Sequence, residues 1–179
     1  MTELLLVRHG ETDWNVEHRV QGHTDRPLNE TGLAQARALA AELADEHIDA
    51  IYASDLARAR DTAHAIAEPR GLAVAVLPSL REKNFGTWEG LRDDEIRERF
   101  PEAESGPWGD AETTEELAAR VLGALGEIAE QHPEGRVLVV THGGPLRAVL
   151  LHCDGAPGPI ANCHLARIGV QDGTLRSLD

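Results

Sequence analysis

Four consecutive aliphatic residues, Leu4 to Val7, stop without transition at Arg8-His9-Gly10. A continuous apolar run of strand length needs cover on both faces, and a parallel sheet sandwiched between helices provides it. Short runs of the same kind recur at Asp49 to Ala53, at Leu72 to Leu77 (entered through Gly71), at Arg136 to Val140 and at Leu165 to Val170, the last expected near the sheet edge. Helical segments separate them. Asn29 suits the N-cap of a helix running to about Glu46, with Leu33, Ala36, Ala40 and Leu43 at helical spacing. Ser54 is expected to cap a second helix whose first turn carries Asp55, Leu56 and Arg58. Thr113 and Glu116 have capping-box spacing and open a helix with Leu117, Val121, Leu125 and Ile128 on its apolar side. Thr141 to Gly144 reads as a turn before a short helix, Leu146 to Leu151. The polar stretch Glu11 to Asn29, punctuated by Gly22 and Pro27, reads as a loop, and Leu80 to Gly90 as a structured loop without a period. Arg92 to Glu98 is most simply a solvated helix face. Strands that alternate with helices predict an α/β fold, a three-layer sandwich with a mostly parallel central sheet flanked by helices. No repeat, low-complexity tract or linker divides the chain, so one domain over residues 1–179 is expected.

Aromatic residues are only 3% of the chain, so Leu, Val, Ile and Ala must fill the core. No run approaches the roughly 20 apolar residues that cross a bilayer. The first residues lack the basic flank and long apolar stretch of a signal peptide, and a cytoplasmic location is expected. Cys153 and Cys163 are too few and too close together for a disulfide framework and read as reduced, non-catalytic thiols. The formal net charge of −14, with no basic stripe to offset it, argues against nucleic acid as a partner. A negative protein that handles an anionic substrate must gather its positive groups in one pocket.

The strand ends supply such groups. The first run delivers Arg8 and His9, the second leads through Ser54 to Arg58, and the fourth delivers His142 before Gly143-Gly144. In open α/β sheets the ligand crevice lies at the carboxyl ends of the strands. Two guanidiniums and two imidazoles can therefore share one rim, with Arg58 near the positive end of its helix. Phosphoryl transfer wants this set. Two arginines grip the oxygens of a phosphate dianion with paired hydrogen bonds. One imidazole attacks phosphorus in line, and the other stabilises charge on the equatorial oxygens. Hydrolysis is then split into transfer to histidine and transfer to water. The departing alkoxide needs a proton, and Glu82, in a polar loop beside Leu80, Phe85 and Trp88, is the candidate acid. No metal or other cofactor is required. The remaining histidines, His18, His23, His47, His64, His132, His152 and His164, lack the paired helical spacing of a zinc site. Trp14 and Trp88 are expected to pack, each with one face near the site.

Arg8-His9-Gly10-Glu11-Thr12 followed by Trp14-Asn15 resembles the signature of the histidine phosphatase superfamily, in its phosphoglycerate mutase-like branch. Gln21-Gly22 with Asp25, Pro27 and Leu28 is similar to that branch's next segment. Ser54-Asp55-Leu56-Ala57-Arg58-Ala59 with Thr62-Ala63 resembles its second arginine motif. Glu82, Phe85-Gly86 and Trp88-Glu89-Gly90 resemble its acid loop, and Thr141-His142-Gly143-Gly144 its second histidine motif. The five motifs occur in the family's order. The resemblance implies that His9 is phosphorylated, that Arg8, Arg58 and His142 complete the phosphate pocket, and that Glu82 donates and accepts the proton. It also implies that Asn15 hydrogen-bonds the phosphate and that Gln21, Gly22, Thr12 and Gly143 line the substrate side.

Two departures bear on the reaction. True mutases carry a longer, basic insertion between the acid loop and the second histidine, whereas about 60 positions rich in Asp and Glu separate Glu82 from His142 here. That favours a phosphatase over a mutase. Many relatives have Gly-Glu-Ser before the long helix where this chain has Gly109-Asp110-Ala111-Glu112-Thr113, which bears on the substrate rim. The expected activity is hydrolysis of phosphomonoesters of small metabolites, with no nucleic acid or membrane partner and an edge-strand homodimer as a possible assembly. The alternatives are a phosphoglycerate mutase-type isomerase and a non-catalytic phosphate-binding regulatory module.

Overall fold

Successive residues of a strand point to opposite faces of a sheet, and Leu4 to Val7, none more than 1% exposed, divide accordingly. Leu4 and Leu6 join one core with Val137, Val139 and Ala166, while Leu5 and Val7 join another with Leu138, Val140 and Ile51. The computed structural model describes residues 1–102, 111–153, 155 and 157–179. Among them, β1 (Thr2–Arg8), β2 (Ala50–Ala53), β3 (Val74–Val76), β4 (Arg136–Thr141), β5 (Leu165–Gln171) and β6 (Thr174–Ser177) form one sheet in the order β3-β2-β4-β1-β5-β6. The first four pair in parallel, and β5 and β6 are antiparallel additions.

The helices are α1 (Asp13–Val16), α2 (Glu30–Glu42), α3 (Ala57–Ala67), α4 (Asp93–Arg99), α5 (Thr114–Gln131) and α6 (Gly143–His152). Residues Leu117, Val121, Leu125 and Ile128 of α5, with Leu146 and Val149 of α6, cover the Leu4 face. Residues Leu39 and Ala40 of α2, with Ala59, Ala63 and Ile66 of α3, cover the other. This is the expected three-layer sandwich, with aliphatic cores on both sides of the sheet. At the end remote from Arg8, Arg136 and Arg167 each bridge Glu3 and Glu46, closing a neutral ring of four charges at N···O distances of 2.6–2.9 Å. No helix of the described residues is long and apolar enough to cross a membrane.

Several local expectations differ from the structure. The stretch Glu11 to Asn29 contains α1, one turn capped by Thr12 in a capping box with Asn15. Helix α2 is capped by Asn29 as expected but ends at Glu42 rather than near Glu46, and its Leu33 is 40% exposed, off the core face. Ser54 does not cap α3. The N-cap is Leu56, which offers no side-chain bond, and a distant carboxylate, Asp25 Oδ1, accepts the Ala57 N–H at 2.8 Å instead. Instead of a turn over Thr141 to Gly144, β4 runs through Thr141 and α6 begins at Gly143, with His142 alone between them. The edge position belongs to β6, joined to β5 by Asp172 and Gly173, both with positive φ. The Thr113–Glu116 capping box of α5 is present. Gly109 and Asp110 lie outside the described residues.

Candidate active site

The parallel strands β2, β4 and β1 lie side by side, and their carboxyl ends are level. Arg8 pairs with Thr141, and Ala53 with Val140. Each strand therefore releases its next residue, His9, His142 or Ser54, at the same edge of the sheet. His9 and His142 face each other with ring centroids 5.1 Å apart and planes at 61°. Ser54 leads into α3, whose first turn carries Arg58, fully buried under the same edge.

His9 is held on every side by backbone. Its own N–H donates to Thr141 O, and its carbonyl accepts from Asn162 Nδ2 and Cys163 N. The ring's Nδ1 lies 2.6 Å from Gly10 O. A carbonyl only accepts, so this contact places the proton on Nδ1 and leaves Nε2 with a free lone pair. Gly10 is fixed in turn, since its N–H donates to Thr62 Oγ1 at 3.0 Å and Thr62 Oγ1 donates to Arg58 O at 2.7 Å. A Cβ on Gly10 would stand 2.6 Å from Gly32 O, and one on Gly32 only 2.1 Å from Glu11 O. Only glycine lets the start of α2 press this closely on the segment that orients the imidazole. Gly32→Ala is expected to destabilise the protein by about 1–3 kcal/mol and to lower activity through displacement of Gly10. Urea unfolding and a rate assay would check both.

Arg58 is fully buried and Arg8 half-buried, and among the described residues neither forms an ion pair with a carboxylate. Arg58 donates from Nη2 to Gly22 O at 2.7 Å and from Nη1 to Thr24 O at 3.0 Å, and its Nε has no partner. Burial pushes its guanidinium down to about 10, against the opposing charges of Glu82, Asp25 and Glu89. Arg8 donates from Nη1 to Ile160 O, and its buried Nε, also unpartnered, lies 3.6 Å from where a Cβ on Gly143 would stand. Burial lowers Arg8 too, with Glu82 opposing. The two imidazoles sit in this field. Burial first, then the charge of Arg58, push both His9 and His142 well below the ordinary imidazole value. Among the described residues neither ring nitrogen of His142 has a hydrogen-bond partner. Four neighbouring groups with unmet donors or acceptors are suited to an anion.

Glu82 closes the ring of five. Its carboxylate accepts from Gly144 N at 3.1 and 3.2 Å, at the positive end of α6, and from Lys83 N at 2.8 Å. Its charge is felt by both Arg8 and Arg58. Of the substrate-side residues, Gly22 provides a carbonyl to Arg58, and Gly143 begins α6 beside Arg8. The Thr12 hydroxyl is buried and engaged with Gln21 Oε1 at 2.9 Å and with the Asn15 cap, so it braces the loop. Asn15 Oδ1 accepts from Thr12 N and from Asn162 Nδ2, which leaves the amide nitrogen as the end able to donate to a ligand. Trp88 is buried against Phe100, and Trp14 lies under Arg26 with the ring centroid 5.0 Å from its guanidinium carbon.

Three supports have no role in the sequence reading: Thr62 and Glu89 stand within its motifs, and Asn162 stands outside them. Asn162 ties His9 to Asn15 across about 150 positions of chain, and no spacing points to it. Thr62 lies one helical turn beyond Arg58, a spacing that does bear on the shared face. Glu89 is the hub of the rim, accepting from His23 N, Thr24 N, Thr24 Oγ1 and Phe85 N at 2.6–3.2 Å. It thereby fixes the loop whose carbonyls hold Arg58. Cys163, half-buried, has its thiol pushed up to about 11 by burial, which suits an unreactive thiol. Among the described residues no cluster of His, Cys, Asp and Glu could hold a metal ion.

The neutral imidazoles carry a stability consequence. An unfolded chain protonates histidine near 6.5, whereas folded His9 and His142 resist protonation, so the unfolded state binds more protons below that value. Stability is therefore full above 6.5 and falls as the pH drops below it, at up to about 1.4 kcal/mol per pH unit for each histidine. The carboxylates with lowered values, Glu3, Asp55 and Glu112, lose their contribution only in a lower window, below about 4.5. Melting temperature without phosphate should fall between pH 7.5 and 5.5, and fall less in His142→Phe. Equal falls in the two proteins would contradict a buried neutral His142.

Residues 4–178 match the family model of the histidine phosphatase superfamily, branch 1. The chain is 40% identical over 185 residues to a metal-independent phosphoserine phosphatase of Arabidopsis thaliana, covering 96% of this chain and 78% of the relative. The structure of Bacillus stearothermophilus YhfR superposes with a TM-score of 0.91 at 33% identity, covering 99% of this chain and 96% of that one. A mycobacterial glucosyl-3-phosphoglycerate phosphatase solved with VO3 superposes with a TM-score of 0.87 at 30% identity, covering 98% and 95%.

Proposed function

The chain belongs to branch 1 of the histidine phosphatase superfamily, and from that premise we propose that it hydrolyses phosphomonoesters of small metabolites through a phosphohistidine on His9. The observation that carries this reading is the Nδ1 contact of His9 with Gly10 O, which leaves a lone pair on Nε2 of a ring that faces His142 and lies in the field of Arg8 and Arg58. A phosphate dianion meets the unpartnered donors of these neighbours. The arginine Nε donors and His142 take its oxygens, and the Asn15 amide adds a further donor. In this reading Nε2 attacks phosphorus in line with the departing oxygen.

As the P–Nε2 bond forms and the ester P–O bond breaks, the leaving oxygen takes a proton from the Glu82 carboxyl. Glu82 then accepts a proton from the water that attacks the phosphohistidine, which restores both residues and releases inorganic phosphate. The residues that line the site carry no metal chemistry in this scheme.

Substrates named for the relatives, phosphoserine and glucosyl-3-phosphoglycerate, are phosphomonoesters of small hydroxy acids, and this chemical class is the starting point for assay. A cytoplasmic location fits cysteines that form no disulfide among the described residues, Cys153 and Cys163. The net charge of −14 leaves nucleic acid an unsuitable partner. The exposed edge of β6 is the face on which a homodimer would form. Phosphate release from a panel of about a hundred phosphorylated metabolites, ranked by kcat/KM, tests the function. Conversion of 3-phosphoglycerate to its 2-isomer without phosphate release would establish a mutase instead. Phosphate binding with no turnover on any ester would establish a binding module.

A further inference from the structure

Glu82 lies in a segment, Arg81 to Phe85, without regular secondary structure. Its carboxyl is useful to a departing oxygen only if the backbone beneath it is held, and no ladder or helix holds it. Side chains from elsewhere in the chain bind that backbone, and one of them makes most of the bonds on the approach to Glu82. Arg120, on the second turn of α5, donates from Nη1 to Ser79 O at 2.8 Å and Arg81 O at 3.0 Å, and from Nη2 to Glu82 O at 3.2 Å. A single planar cation thus collects the carbonyl of Glu82 itself and two from the chain that leads into it.

Arg120 is aimed by a partner of its own. Its Nε and Nη2 donate to the two oxygens of Glu112 at 2.8 Å each, a bidentate pair in which the Glu112 side chain is only 14% exposed. Glu112 stands immediately before the capped start of α5 and is fixed by two further bonds, Asn84 N to Glu112 Oε2 at 3.1 Å and Glu112 N to Asn84 O at 2.9 Å. From the opposite side His23 Nε2 reaches Glu82 O at 2.9 Å. The acid segment is gripped between α5 and the loop that also holds Arg58.

We propose that Arg120, oriented by Glu112, is a positioning residue that keeps the Glu82 carboxyl in register with the leaving oxygen. This rests on the reading of Glu82 as proton donor. Lysine keeps the charge at this place but cannot fork to five acceptors. The step affected is proton delivery, so the loss must depend on how badly the leaving group needs a proton. An alkoxide needs one, whereas p-nitrophenolate departs without it.

The test compares kcat/KM on phosphoserine and on p-nitrophenyl phosphate for the wild type, Glu82→Gln, Arg120→Lys and Glu112→Gln. Glu82→Gln is expected to lose about 100-fold or more on phosphoserine and much less on the aryl ester. Arg120→Lys is expected to lose about 10- to 100-fold on phosphoserine alone, because a small misplacement carries that penalty, and to shift the alkaline limb of its pH profile. Glu112→Gln, which keeps the Arg120 guanidinium, should show the same selectivity at smaller size and covers the case in which Arg120→Lys unfolds. Equal losses on both esters, or none, in the Arg120 and Glu112 variants overturn the positioning role while a selective Glu82→Gln leaves the acid in place. A non-selective Glu82→Gln overturns both.

Discussion

His9→Ala is expected to lower kcat/KM on the best substrate by about four orders of magnitude or more, because covalent transfer has no substitute route once its nucleophile is gone. The variant should still fold. Among the described residues His9 Nδ1 is its one polar side-chain anchor, and the main chain of residue 9 is held by its N–H to Thr141 O and by Cys163 N and Asn162 Nδ2 on its carbonyl, bonds that alanine retains. It should also still bind inorganic phosphate, since Arg8, Arg58 and His142 remain. A second measurement makes the same point chemically. Wild-type enzyme quenched in base during turnover of a 32P-labelled ester should carry label that acid removes, and His9→Ala should carry none. Residual activity within tenfold of wild type, with protein-bound label persisting in the variant, would place the nucleophile elsewhere.

Much of this arrangement was legible in the sequence because it depends on local pattern. Leu4 to Val7 is apolar at every position, and a strand alternates faces, so two cores and a sheet between helices follow from four residues. His9, Arg58 and His142 each stand just past a strand, and parallel strands bring their ends to one edge. What was not legible depends on distant partners or on atoms every residue has. Gly10, Gly22, Thr24 and Ile160 hold the imidazole and the arginines through carbonyl oxygens, and nothing in a residue's identity marks its carbonyl as functional. Ser54 looked like a cap because it precedes a helix, but the acceptor that won, Asp25, arrives from 32 positions away. The β5–β6 hairpin is the opposite case. Asp172-Gly173 is a strong two-residue hairpin signal, and the expectation of a final strand at Leu165 to Val170 passed over it.

The same division separates residues that react from residues that hold. Reacting groups are few and chemically distinctive, so a motif finds them. Holding groups such as Arg120 and Asn162 are ordinary surface residue types made specific by folding, and Glu89, although it stands in the acid-loop motif, carries no mark of its holding role. Each binds the backbone of a segment that carries a reacting group, and the site's precision lives in that layer.

Arg58→Met is the second large effect expected, and it separates two things the guanidinium does. As a hydrogen-bond donor to the transition state it should be worth about 100- to 1000-fold in kcat/KM. As a buried charge it also keeps protons off His9 and His142. Removing the charge makes protonation of His9 easier, so the imidazole's value rises and the acid limb of kcat/KM moves to higher pH. Burial, the larger cause, persists, so the limb stops short of the ordinary imidazole value. The substrate's own second phosphate ionisation, near about 6, is common to all variants and cancels in the ratio of profiles. Arg58→Lys resolves the two contributions. It keeps the charge and loses the fork that reaches Gly22 O and Thr24 O, so its acid limb should stay near the wild-type position while most of the rate is still lost. A methionine variant with an unmoved limb would mean that Arg58 does not govern the protonation of His9, and one with an undiminished rate would mean that it does not touch the phosphate.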